Sequence, residues 1–112
     1  MNVDFKGYDE NVATFIASPT LEAGKFVKMS DDYTVAAASA NDEIIGYCVG
    51  VRGSYAAVQL SGYVESKSTG TVDVGLTGIC AASADTVKAS ASAFKRKVIF
   101  SDSDNNIVGF IL

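Results

Sequence analysis

Three groups of side chains in this sequence have the types and spacing to do chemistry. The first is "DSDNN", where Asp102, Asp104 and Asn106 have the alternate spacing that opens a calcium loop. Such a loop needs Gly at its sixth position and a bidentate Glu at its twelfth. Ile107 stands where the Gly should be, and the sequence runs only to Leu112, so a tight hairpin turn is expected instead. The second is the set of adjacent acids Asp9-Glu10, Asp31-Asp32 and Asp42-Glu43. A carboxylate pair that does acid–base work must converge in space, whereas neighbours in a strand point to opposite faces and neighbours in a turn face water. The third is Cys48 and Cys80, each inside an apolar run, "IIGYCVGV" and "GICAA". Buried free thiols are expected, because cytosolic thiols stay reduced and a two-cysteine zinc site would need further ligands.

The chain has no histidine. That removes the imidazole base, the Ser-His-Asp triad and the Cys-His pair. No phosphate-cradling glycine motif and no nucleophile elbow occurs. No residue is nominated as catalytic, metal-binding or cofactor-binding, and the expected class is non-enzymatic. The net charge of −4 gives no cationic field for phosphates. Lys95-Arg96-Lys97 is the one basic cluster and reads as a solvated turn. Nucleic acid is therefore not an expected partner. No run reaches the roughly 18 apolar residues of a membrane helix, and the N-terminus lacks a secretory pattern. Synthesis in the cytoplasm and no membrane partner are the expectations.

The elements that must carry these residues are strands. Apolar residues make up 48% and charged residues 20% of 112 residues, enough for one modest core. In "YAAVQLSGYVES", 55–66, Val58, Leu60 and Val64 fall on one face of a two-residue period, which reads as a single strand with these three in the core. Further strands are expected over 12–18, 25–29, 34–38 and 44–52, the last with Ile45, Tyr47, Val49 and Val51 on one face. Turns fall at Ala23-Gly24, Ser30-Asp31-Asp32, Asn41-Asp42 and Gly53-Ser54. Gly75 and Gly78 suggest a bend or a close backbone approach. Residues 81–93 lack a helical stripe and read as short strands and loop. "KVIFSD" and "NNIVGFIL" form a closing hairpin. No repeat of 20–50 residues is visible.

Many short strands predict an all-β fold, a small single-domain barrel or sandwich over 12–112. Residues 1–11 read as an extended arm with Phe5 and Tyr8 as candidate anchors. The last strand is apolar on both faces, Ile107 and Ile111 on one, Val108, Phe110 and Leu112 on the other. Such a strand is covered on both sides, by its own chain or by another subunit.

The stretches "YDENVATFIAS", "LEAGKFVKMS", "TVAAASANDEIIGYCVGVRGSYAAVQLSGYVE", "VGLTGICAAS", "TVKAS" and "KVIFSDSDNNIVGFIL", in that order, resemble the bacteriophage capsid cement (head decoration) proteins, the lambda decoration protein-like group. The likeness runs from roughly residue 8 to the end and departs from the family pattern between Lys88 and Lys97. It implies a structural virion protein on the outer surface of an expanded capsid, with the major capsid protein as partner and a homo-oligomer, commonly a trimer. On that reading Phe5, Tyr8, Asn11 and Thr14 are the candidate capsid-binding residues, and Val108, Phe110 and Leu112 the candidate oligomer interface. The competing reading is a small carbohydrate- or peptide-binding β-module, whose cue would be Tyr8, Tyr33, Tyr47, Tyr55 and Tyr63 gathered on one exposed face.

Overall fold

A computed structural model describes residues 11–112. The described residues form ten strands: β1 (Asn11–Ala17), β2 (Phe26–Asp31), β3 (Thr34–Ala37), β4 (Gly46–Arg52), β5 (Tyr55–Ser61), β6 (Tyr63–Thr69), β7 (Gly75–Ala81), β8 (Thr86–Ala89), β9 (Lys95–Asp102) and β10 (Ile107–Ile111). The all-β expectation holds. The strands close not one ring but two, in the orders β1-β3-β2-β4-β5 and β10-β6-β8-β7-β9. Every strand has a neighbour on both sides, but the first ring is closed by short contacts, two residue pairs between β1 and β3 and two between β2 and β4.

The second barrel repeats the first. In each, the first strand lies parallel to the third and antiparallel to the fifth. The register recurs 52 residues on, where Val27↔Ala37 becomes Ile79↔Ala89 and Met29↔Val35 becomes Ala81↔Val87. The hairpin Cys48↔Val58, Gly50↔Ala57 recurs as Val98↔Phe110, Phe100↔Gly109. Both hairpins skip one residue, Val49 in β4 and Ile99 in β9, a β-bulge at the same place. This corrects the expectation of no repeat. Thr34-Val35 and Thr86-Val87 share residue types, but ring closure demands only the same pairing and a buried inner row, so side-chain identity need not survive.

The stretch 55–65 is two strands, one in each barrel. Ser61 pairs Asn11 and Gln59 pairs Val12, so Leu60 is an extra, bulged residue. The bulge reverses the alternation. Leu60 is 37% exposed, against its expected core position, while Gln59 is only 5% exposed and satisfies its amide on the Ser61 carbonyl at 3.1 Å. Gly62 then turns the chain into the second barrel with φ 100°, a conformation that a side chain would strain. Val58 and Val64 are both buried as expected, but in different cores. In β4 the inward residue is Cys48, so Tyr47, Val49 and Val51 do not line the barrel interior. The close approach expected near Gly78 is present, since a Cβ there would lie 2.1 Å from the Ser90 carbonyl oxygen.

The first core is small: Leu21, Val27, Val35, Cys48, Ala56 and Val58. The second takes in Phe26, Ala38 and Ile44 from the first barrel, so a seam joins the two. Phe26 stacks on Phe110 with ring centroids 6.2 Å apart and receives the edge of Tyr47 at 5.2 Å. Backbone bonds cross the seam, from Phe26 N to Ala84 O (2.7 Å), from Asn41 N to Ala81 O (2.8 Å) and from Ala81 N to Asp42 O (3.0 Å).

Val108 and Phe110, expected at an oligomer interface, are fully buried inside their own chain. Of the two covers the sequence left open, the chain's own first barrel supplies this one. Leu112 is half-buried against the same core, and Ile107 is the exposed face of β10. Phe110→Ala should therefore lower unfolding free energy by about 3–5 kcal/mol in chemical denaturation. Ile107→Ser should change it by no more than about 0.5 kcal/mol. Equal effects from the two would contradict this assignment of faces.

Candidate interaction surfaces

On the outer face of the first barrel, β1, β5 and β4 lie side by side. The ladder aligns Thr14 with Ala57 and Ala57 with Gly50, a row of small residues. One step along, Ile16 pairs Tyr55 and Tyr55 pairs Arg52. Small side chains beside a large exposed ring leave a hollow of about 530 Å³ lined by Thr14, Gly50, Val51, Arg52, Tyr55 and Ala57. The matching row of the second barrel is Glu65, Gly109 and Phe100. There Tyr63 lies over Gly109, so close that a Cβ on Gly109 would meet its hydroxyl at 2.0 Å, and the same hydroxyl donates to Glu65 Oε2 at 2.8 Å. One barrel covers this row with its own aromatic ring. In the other, Val12 holds the Tyr63 position and is too short to do so.

At the β2–β3 turn, Tyr33 has φ 56° and is 78% exposed, flanked by exposed Asp31 and Asp32. Asp31 Oδ1 accepts only from the backbone of Asp32, at 2.8 Å. On the second barrel, Leu76 and Phe94 are 68% and 65% exposed. With Ile111, Leu112 and the stems of Lys95 and Lys97 they form a cup of about 270 Å³. The basic cluster is not a turn: Lys95, Arg96 and Lys97 all lie in β9, with Lys95 and Lys97 exposed and Arg96 facing the other way. Arg96 is half-buried, over the Phe94 ring at 5.0 Å, and its Nη2 donates to the Ile44 carbonyl across the seam. Burial lowers its pKa, with the nearby Glu43 charge opposing that shift. Glu43 also accepts from the Phe94 backbone at 3.2 Å.

Asn11 and Thr14 belong to β1 rather than to an arm; both are exposed, and Asn11 Nδ2 donates to Ser61 Oγ at 3.0 Å. Phe5 and Tyr8, like Asp9-Glu10, lie outside the described residues. The described tyrosines do not share one face. Tyr33 and Tyr55 are exposed near Ile16, Tyr47 packs on Phe26, and Tyr63 covers Gly109. Cys48 and Cys80 are buried free thiols, and burial pushes the Cys48 thiol up. Among the described residues no group of three or more His, Cys, Asp or Glu could hold a metal ion. Asp102 serves its own turn, accepting from Asn105 Nδ2 at 2.8 Å and from the backbones of Asp104 and Asn105. No helix of the described residues is long and apolar enough to cross a membrane. The cup was not foreseen. Leu76 and Phe94 sit at the margins of apolar runs, where no period marks them as exposed.

No protein-family model matches the chain, and comparison with curated proteins finds no match.

Three carboxylates are held below their usual range: Asp42 by Lys28 at 2.9 Å and the Ser39 N–H, Asp85 by the Ser83 and Thr86 hydroxyls, and Asp102 by Asn105. A depressed carboxyl contributes stability above its unfolded pKa and loses it as pH falls through the lower folded value. The melting temperature should therefore be flat near neutrality and fall below about pH 4. Asp42→Asn or Asp102→Asn should make that fall shallower in scanning calorimetry; a fall equally steep in both variants would contradict the assignment.

Proposed function

We propose that the chain is a non-enzymatic structural protein of the phage capsid cement class. It binds the outer surface of an expanded capsid through the major capsid protein and bridges neighbouring capsomers. The observation that carries this reading is the open row Thr14–Ala57–Gly50 beside Tyr55, whose counterpart in the second barrel is occupied by Tyr63. Such a row is a seat for a side chain from another protein, and Thr14 is one of the residues for which the family resemblance implies a capsid contact. A protein that binds only the mature lattice stabilises that lattice by linkage, and many copies add modest contacts.

The test mixes the protein with expanded, undecorated capsids and measures occupancy after pelleting. Wild type should saturate at micromolar concentration and raise the melting temperature of the shell. Gly50→Val fills the seat, and a Cβ at Gly50 meets nothing within 4 Å, so the fold should hold. Occupancy should then weaken by about tenfold, equivalent to about 1.4 kcal/mol. Wild type that stays in the supernatant, or a variant that binds equally well, would overturn the reading.

A further inference from the structure

The most exposed large hydrophobic residues among those described, Tyr33, Leu76 and Phe94, have neighbours of opposite charge. The β2–β3 turn presents one aromatic ring, Tyr33, next to the exposed Asp31 and Asp32. The cup on the second barrel presents Leu76 and Phe94 beside exposed Lys95 and Lys97, with Arg96 over the Phe94 ring. The ion pairs among the described residues are Lys25–Asp85 and Lys28–Asp42, so no described residue neutralises either set. The groups facing the cup from the first barrel are Glu43, committed to the Phe94 backbone, and the Ile44 carbonyl, committed to Arg96.

We infer that the Tyr33 turn of one copy seats in the Leu76–Phe94 cup of the next, joining copies of this chain head to tail. The ring of Tyr33 covers Leu76 and Phe94, while Asp31 and Asp32 meet Lys95 and Lys97 at the rim. Turn and cup are different surfaces at different places. The turn lies at the Tyr55 end of β5, and the cup lies past its Ser61 end, where Leu112 N donates to Gly62 O. Seven residues of strand separate them, about 20 Å. The contact is therefore heterologous, and heterologous contacts close into rings when the rotation between copies permits. It replaces Val108 and Phe110 as the subunit contact and keeps Leu112 at its edge. Apolar burial supplies the attraction, and the charges set which surfaces meet. Tyr33 and the seat's Tyr55 both adjoin Ile16, but the contact uses neither Gly50 nor Ala57, so the two surfaces are separable by substitution.

Sedimentation velocity on the full chain, without capsids, tests this. Wild type should sediment as one discrete multiple of the chain at micromolar concentration and dissociate as salt is raised. Asp31→Lys with Asp32→Lys, or Lys95→Glu with Lys97→Glu, should weaken association by about tenfold or more. All four substitutions in one chain should restore it, a recovery that loss of folding would not give. Wild type monomeric up to millimolar concentration, or an oligomer indifferent to both charge reversals, would overturn the inference. Capsid pelleting of Gly50→Val reads the other surface, so failure of one proposal is distinguishable from failure of the other.

Discussion

Phe26 stacked on Phe110 is the contact on which the rest depends. Each barrel has about fifty residues, a size at which a domain buries barely enough surface to fold alone. The first core holds valines, a leucine, a cysteine and an alanine, and no aromatic ring among its fully buried members. The second core has Phe110 and borrows Phe26, with Tyr47 on its edge. Joining the two barrels at a seam removes one face of each barrel from water. The second core gains Phe26, Ala38 and Ile44 from the first barrel, while the first core stays separate. The backbone bonds through Phe26, Asn41 and Ala81 then fix how the barrels meet, because each such group would be costly to bury unpaired.

Closure also decides what kind of surface remains. With a neighbour on each side of every strand, most of the described surface is outward side chains, and these differ between two barrels of the same topology. Tyr63 over Gly109 closes in one barrel the row that Thr14, Ala57 and Gly50 leave open in the other. The duplication therefore yields two unlike faces from one scaffold. In the same way an acidic aromatic turn stands on the first barrel and a basic apolar cup on the second. A molecule with unlike ends suits assembly into larger structures better than a symmetric one, which would offer the same face twice.

Much of the local structure was legible in the sequence. Alternation placed the strands, Asp, Asn, Ser and Gly placed the turns, and the incomplete ligand set of "DSDNN" predicted the hairpin in which Asp102 bonds its own loop. Burial of Val58, Val64 and the two thiols followed from apolar runs, since a strand's period and its apolar content are local quantities. What only the tertiary structure decided is which side of a strand faces in, and into which core. A bulge adds one residue and reverses every later side chain, so Leu60 went out and Gln59 in. Two-sided apolarity of β10 shows that it is covered but not by what; the seam, built from residues more than sixty positions away in sequence, supplied the cover for Phe110. Ring closure and duplication are likewise pairings between distant segments. No window of sequence holds them, because the hydrogen bonds that define them join residues the chain itself keeps apart.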